Sequence, residues 1–285
     1  MSRVATVLKT QAIVFFRAHS TEIRFSPEIR IRSIYRSEKY DMRWCIEDGQ
    51  ANLFFVIDGL GSNSKDEITR LAACLLMFKA KPQLSNELPW FKFGCSGNKP
   101  AASLPNLDYS AIEPLPTSPL TSPSYELESD EEDAFIEFWK RLTTKAWPDA
   151  VMTAALRLII LQGRAEQSYY EDKLLDIIQA FETILFKHRE RVSKSKKLPI
   201  RIGKLLGLSG HQLTSALTNL RVAYRMRGDL THEGRFSDKQ LAKIGGRRFL
   251  SDFLLTLEEY FRAGLLIFIE KTNEGLNQSQ IIKQL

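Results

Sequence analysis

The sequence predicts an α+β chain, with a β-rich N-terminal domain that carries at least one helix and an all-α helical bundle behind it. Segments rich in Val, Ile, Phe and Tyr, partly alternating with polar residues, fill the first sixty positions, which is typical of strands. Six of the eleven prolines fall between Pro100 and Pro123, which indicates a linker. Beyond residue 130, apolar residues recur at helical steps of three and four.

The N-terminal segments predict strands and then one helix. Alternation is strongest over residues 22–36, where Pro27 predicts an edge strand or a bulge. Residues 65–80 combine an acidic first turn, an apolar body and lysines at the end, and Pro82 follows. This arrangement predicts a helix that ends before the proline. The predicted domains are therefore residues 1–94, a Pro/Ser-rich linker with an acidic stretch over 95–129, and a helical domain over 130–285.

Helix signals follow one another in the second half of the chain. The acidic stretch that ends at Asp133 favours a helix start, because carboxylates suit the positive end of the helix dipole. Pro148 predicts the first turn of the next helix, which runs to Gly163. Residues 171–190 carry apolar side chains on one face and predict a further helix. Ser209 and Ser237 are predicted N-caps of later helices.

The bulk composition excludes several classes of protein. The three cysteines are odd in number and lack paired spacing, which indicates reduced thiols in the cytoplasm. No histidine has a Cys or another His at metal-ligand spacing, so we expect no metal and no cofactor. Neither a membrane span nor a secretion signal is predicted, and the expected localisation is cytoplasmic. A net charge of +6 permits an anionic partner such as nucleic acid.

Residues 187–204 concentrate positive charge, with eight Lys or Arg against one acid, Glu190. A solvated loop between helices is one interpretation of this segment. The other is a surface that binds the phosphate backbone of RNA. Together with two arginines further along, the predicted RNA-binding residues are Lys194, Lys196, Lys197, Arg201, Arg221 and Arg225.

Three sequence features in a fixed order carry a family resemblance. They are Ala180-Phe181-Glu182 in a helix, LPIRIGKLLG over residues 198–207, and YRMRGDLTHEG over residues 224–234. In this order they resemble the Apea-like group of the HEPN superfamily, over residues 154–269. The last feature resembles the Arg-x4–6-His motif of that family, with Arg227 and His232 separated by four residues.

The resemblance implies a metal-independent endoribonuclease, in a toxin or antiviral role, that acts as a homodimer through its helical domain. Arg227 and His232 are its implied catalytic residues. Histidine suits proton transfer near neutral pH, and arginine suits a phosphate because its charged fork binds two oxygens. Asp229 is a candidate to orient either residue, with a plain polar position near a helix end as the alternative. Glu182 matches an acidic position of the family and is a candidate partner for an arginine of the motif helix.

Two arrangements would bring Arg227 and His232 to one phosphate. On an unbroken helix, residues five apart are separated by about 140° around the axis and about 7.5 Å along it. Gly228 and Gly234 would allow the helix to bend or fray, so that both side chains approach one concavity. Alternatively, a twofold axis near the motif would place the arginine of one subunit beside the histidine of the other.

A departure from the family pattern supports a second hypothesis. The family ribonucleases often carry a small polar residue directly after the arginine, whereas this chain has Gly228 there and Asp229 one position later. The alternative is therefore a catalytically inactive HEPN-like module that binds RNA or protein, or that dimerises. In either hypothesis the N-terminal domain is expected to bind a regulator, which no residue identifies.

Overall fold

The computed structural model describes residues 10–15, 17–18, 22–24, 30–33, 54–60, 64–79, 91–95, 126–127, 129–163, 170–187, 190 and 193–285. The chain divides into two compact units. One comprises Met1–Ile68 with Lys81–Glu137, and the other comprises Thr69–Ala80 with Phe138–Leu285. All of the predicted site residues belong to the second unit.

The first unit contains short strands of two to seven residues. They are β1 (Thr10–Phe15), β2 (Arg17–Ala18), β3 (Glu22–Arg24), β4 (Arg30–Ser33), β5 (Phe54–Leu60), β6 (Phe91–Cys95) and β7 (Glu126–Leu127). Five of them form one sheet in the order β3-β4-β5-β1-β6. Its neighbours are antiparallel, with Ile13 of β1 opposite Val56 of β5, whereas β2 and β7 form a separate parallel pair.

The predicted fold class is wrong, because the described part of the chain is mostly helical and does not support a β-rich N-terminal domain. Alternation over a few residues satisfies the pattern of a strand, but a strand also needs a partner that pairs with it along its length. The strands that do pair are short, and β3 and β4 together retain seven residues of the best alternating segment. Pro27, Cys45 and residues 96–125 of the linker predicted over 95–129 lie outside the described residues.

Helices account for most of the described chain. They are α1 (Ser64–Phe78), α2 (Ser129–Leu142), α3 (Asp149–Gly163), α4 (Tyr170–Leu185), α5 (Lys194–Leu205), α6 (Gly210–Glu233), α7 (Asp238–Lys243), α8 (Leu250–Asn273) and α9 (Gln278–Gln284). A 3₁₀ turn, Arg247–Phe249, precedes α8. Among the described helices, none combines the length and the apolar character needed to cross a membrane.

The helix signals of the sequence locate α1 to α4 closely. The carbonyl of Pro148 accepts the backbone N–H groups of Val151 and Met152, so the proline stands at the start of α3 as predicted. In α1, Cys74 is buried and its thiol is free. Burial raises the pKa of this thiol, which suits a core position rather than a reactive one.

A pair of glycines divides the segment after Ser237, which the sequence pattern presents as one continuous helical run. Gly245 and Gly246 have φ angles of 88° and 101°, a region that residues with a Cβ rarely occupy. The chain therefore turns between α7 and α8. The side chain of Phe249 packs against Gly245, where an added Cβ would lie 2.7 Å from its ring.

Helices α4 and α8 form the centre of the second unit. Phe181 of α4 and Phe261 of α8 meet edge to face, with ring centroids 5.3 Å apart, an arrangement that adds to the energy of apolar burial. Gly264 of α8 lies where an added Cβ would be 3.4 Å from Leu205 and 3.7 Å from Phe181. An added Cβ would therefore make only ordinary van der Waals contacts at this position.

The end of α4 is capped by a residue from the C-terminal helix. The side-chain amide of Gln278 donates to the carbonyls of Thr183, Ile184 and Phe186, at 2.9, 3.2 and 3.4 Å. The last carbonyls of a helix lack partners within it, and a side-chain donor satisfies them. The cap fixes the turn of α4 that carries Glu182.

Candidate functional site

Helix α6 carries the Arg-x4-His motif at its C-terminal end. Its buried side chains face α4, α5 and α8 and include Ala216, Leu220, Ala223 and Met226. The helix ends at Gly234, which has a φ angle of 68° and donates its N–H to the carbonyl of Leu230 at 3.1 Å. Gly234 is thus the C-cap that the sequence predicts.

Gly228 does not bend the helix. Helix α6 continues from Gly210 through Gly228 to Glu233, and its last turn is supported by the hydroxyl of Thr231, which donates to the carbonyl of Arg227 at 2.9 Å. The first of the two predicted arrangements is therefore not adopted. Within one protomer, Arg227 and His232 are separated by the roughly 140° of a regular helix.

Arg227 lies on the inner side of α6, in the same angular sector as Leu220 and Ala223. Its guanidinium carbon lies 5.6 Å from the centre of the Tyr224 ring, within the range of a cation–π interaction. Its Nε is buried and has no hydrogen-bond partner. Among the described residues no carboxylate forms an ion pair with Arg227, so its charge is held in place without being neutralised.

Glu182 supports this arrangement through Tyr224. The Tyr224 hydroxyl donates to Oε1 of Glu182 at 3.0 Å, and Nζ of Lys194 donates to Oε2 at 2.7 Å. Burial, followed by the charge of Glu182, raises the pKa of Tyr224 to about 12, so the hydroxyl remains a donor at neutral pH. Glu182 therefore contacts Tyr224, the residue whose ring lies beneath the Arg227 guanidinium. Among the described residues, its oxygens accept hydrogen bonds from Tyr224 and Lys194 and not from an arginine of α6.

Asp229 joins the end of α6 to the start of α7. Its Oδ2 accepts the hydroxyl of Ser237 at 2.5 Å and the backbone N–H of the same residue at 3.4 Å. Ser237 stands at the predicted N-cap position, but its side chain makes no capping bond. These contacts give Asp229 a structural role and direct it to neither His232 nor Arg227.

His232 lies on the opposite, solvent-exposed side of α6. Arg221, Arg225 and His232 fall within about 40° of one another on the helix, and all three are exposed. We call these three residues the α6 cationic face. The structure thus groups His232 with two predicted RNA-binding residues and separates it from Arg227.

The basic segment before α6 is neutralised in part. Arg201 forms two bonds to the Glu190 carboxylate, at 3.0 and 3.1 Å, and donates to the carbonyl of Leu185 at 2.7 Å. Lys197 donates to Glu190 at 2.7 Å. The bonds from Arg201, then those from Lys197, lower the pKa of Glu190 to about 2. Of the residues predicted to bind RNA in α5, Lys196 is exposed, and among the described residues it forms no ion pair.

Tyr224 is the site residue that sequence reasoning missed. Its hydroxyl carries no charge at neutral pH, and Tyr224 is not one of the residues that the Arg-x4-His motif singles out. A spacing signal was nevertheless present, because residues three apart on a helix are neighbours. Tyr224 and Arg227 have this spacing, and an aromatic ring there suits a guanidinium.

Among the described residues, no group of three or more His, Cys, Asp and Glu side chains could hold a metal ion. No family model matches the sequence, and neither a curated protein nor a solved structure matches it. The resemblance of the second half of the chain to the HEPN superfamily is therefore a hypothesis that rests on the motif residues themselves.

Proposed function

We propose that the chain is a metal-independent endoribonuclease whose active site forms between two copies. The observation that carries this proposal is the state of Arg227, whose guanidinium is held by Tyr224 without an ion pair among the described residues. An unsatisfied buried donor costs about 1–3 kcal/mol, and such groups in native structures ask for an explanation. A cation that binds a phosphate must remain free of internal carboxylates, and Arg227 meets that requirement.

The chemistry divides between the two residues of the motif. One His232 accepts the proton of the 2′-hydroxyl, whose oxygen forms a bond to the adjacent phosphorus. Arg227 binds the phosphate oxygens on which negative charge accumulates. The bond from phosphorus to the 5′-oxygen breaks, and the protonated imidazole of the same His232 donates its proton to that oxygen. The products are a 2′,3′-cyclic phosphate and a 5′-hydroxyl, so atoms and protons balance.

Dimerisation resolves the separation of the motif residues. A regular helix directs Arg227 and His232 about 140° apart, which prevents both from reaching one phosphate in a single copy. An isologous interface near the end of α6 would place Arg227 of one subunit opposite His232 of the other. It would form two such composite sites, each with one Arg227 and one His232.

The α6 cationic face supports RNA as the substrate class. Arg221 and Arg225 are exposed on the same side as His232, and among the described residues neither forms an ion pair. Cations that remain free in the folded chain are the ones that gain from contact with a phosphate backbone. Lys196 has the same character on α5.

The decisive experiment mixes two inactive variants. Arg227→Ala and His232→Ala are each expected to lose cleavage of a structured RNA in the presence of EDTA, whereas wild type retains it. In a mixed dimer, one composite site keeps both residues and the other loses both. Random mixing should therefore restore about one quarter of wild-type activity. Lys239→Ala, an exposed position on α7, serves as the control and should behave as wild type.

Two outcomes would overturn the proposal. Cleavage that persists in both single variants would place the active site elsewhere. Absence of cleavage by wild type, with RNA still bound, would favour the second candidate function, a catalytically inactive RNA-binding module. The observation that favours this second candidate is the unbroken helix, which groups His232 with Arg221 and Arg225 and leaves Arg227 on the other side.

A further inference from the structure

Lys194 and Glu182 form a short ion pair at the hydroxyl of Tyr224, the residue whose ring lies beneath the Arg227 guanidinium. The distance from Nζ to Oε2 is 2.7 Å, and the two side chains are 28% and 14% exposed. Nζ of Lys194 also lies 5.3 Å from the centre of the Phe186 ring, which holds the ammonium over an apolar surface. The ammonium of Lys194 therefore already has two partners within the protein, unlike the solvent-exposed lysine that typically binds a phosphate.

The ion pair with Lys194 occupies one of the two carboxylate oxygens with which Glu182 could bind Arg227. One oxygen accepts Lys194 and the other accepts the Tyr224 hydroxyl. The guanidinium of Arg227 lies over the ring of Tyr224, so the carboxylate and the guanidinium contact the same aromatic side chain. With its charge balanced by Lys194, the carboxylate has little electrostatic reason to attract Arg227.

We infer that Lys194 is a positioning residue, which keeps Glu182 from pairing with Arg227 and so leaves the Arg227 guanidinium available to a phosphate. The catalytic part of this inference rests on the proposed function, whereas the pairing itself does not. Lys194 then acts from within the protein, and its predicted role as an RNA contact is replaced by this one. Loss of its charge frees one oxygen of Glu182, and Arg227 is the neighbouring cation that the carboxylate can capture.

Chemical modification of Arg227 tests the pairing without any requirement for activity. Phenylglyoxal reacts with guanidines, and an arginine in an ion pair reacts more slowly because its pKa is raised. Lys194→Gln should slow the modification of Arg227 by about threefold or more, measured by peptide mass spectrometry. Lys196→Gln, an exposed lysine on the same turn of α5, should leave the rate unchanged. An equal rate at Arg227 in both variants would overturn the inference.

Rescue separates lost positioning from simple damage to the fold. In Lys194→Gln combined with Glu182→Gln, no carboxylate remains to capture Arg227, so the modification rate should return to the wild-type value. The neutral amide still offers an oxygen to the Tyr224 hydroxyl. If the double variant is as slow as Lys194→Gln, the effect is structural and the inference fails.

Cleavage kinetics then connect the pairing to catalysis. Lys194→Gln should lower kcat by about tenfold, because Arg227 then pairs with Glu182, and the double variant Lys194→Gln/Glu182→Gln should recover the wild-type kcat. Lys239→Ala, an exposed position outside the proposed site, should leave kcat unchanged. If wild type does not cleave RNA while the modification rates follow the expected pattern, the proposed function fails and the pairing stands. A kcat that stays low in the double variant would show that the loss does not act through Glu182 and would overturn the positioning role of Lys194.

Discussion

The basic cluster of α5 and the cationic face of α6 have similar composition but opposite surroundings. Lys194, Lys197 and Arg201 each contact a carboxylate, from Glu182 or Glu190. Arg221 and Arg225 are exposed, and in the described part of the chain they form no ion pair. The comparison teaches that a count of basic residues in a segment does not locate the charge available to a ligand. Two glutamates pair with three basic side chains of α5 and make them part of a structural clamp.

The largest expected effect concerns the clamp formed by Glu190 with Lys197 and Arg201. Glu190→Ala should lower the free energy of unfolding by about 2 kcal/mol, because Arg201 would keep a mostly buried charge without its carboxylate. Urea unfolding at neutral pH measures the change. Glu259→Ala removes an exposed carboxylate from α8 and should change stability by less than about 0.5 kcal/mol. Equal effects of the two variants would mean that the clamp contributes nothing.

The same clamp predicts a dependence of stability on acid. The pKa of Glu190 is about 2 in the folded chain, below its ordinary value of 4.5, so folding favours the ionised form. Its contribution is fully present above pH 4.5 and is lost as the pH falls towards 2. The stability difference between wild type and Glu190→Gln should therefore shrink over that interval. A difference that stays constant from pH 6 to pH 2.5 would contradict this assignment.

RNA binding tests whether the exposed arginines of the α6 cationic face contact phosphates. Arg221→Gln combined with Arg225→Gln should weaken binding by about tenfold at low salt and reduce the slope of log K against log salt by about 1.4, or 0.7 for each lost contact. Fluorescence anisotropy with a labelled single strand measures both quantities. Lys197→Gln should leave the slope unchanged, since its charge already pairs with Glu190. A larger slope change in Lys197→Gln would reverse the roles of the two clusters.

The smallest effect is expected for His232 as a structural residue. His232→Ala should alter the free energy of unfolding by less than about 0.5 kcal/mol, because the ring is exposed. Thermal unfolding of wild type and variant in parallel measures the difference. Destabilisation well beyond that value would show that His232 contributes to packing, and loss of cleavage in this variant would then no longer report on catalysis.

The sequence located the helices of the second unit better than it located its irregular points. The apolar spacing of Leu174, Ile177, Ile178 and Phe181 predicted the buried face of α4, and all four are buried. It missed the start of α5 at Lys194, within a segment interpreted as a loop, because the helix begins where charge conceals the apolar pattern. It also missed the break at Gly245 and Gly246, which depends on backbone angles that residue identity permits but does not require.

The candidate site divides in the same way. Motif spacing identified Arg227 and His232, and regular helix geometry already indicated that they diverge in one copy. The prediction that Gly228 bends α6 was not met, because glycine weakens a helix without breaking one that is packed on its neighbours. Tyr224 was missed because its importance comes from Glu182, 42 residues away along the chain.

The amino-acid order alone was sufficient to establish the helical segments, their apolar faces and the presence of a cationic, RNA-compatible composition. Folding was required to establish which cations are neutralised, which aromatic ring carries Arg227 and which side of α6 bears His232. The physical reason is the range of the interactions. Helix periodicity and capping act over a few consecutive residues, whereas the ion pairs of Glu182 and Glu190 form between groups that only the packing of α4 against α5 and α6 brings within hydrogen-bond distance.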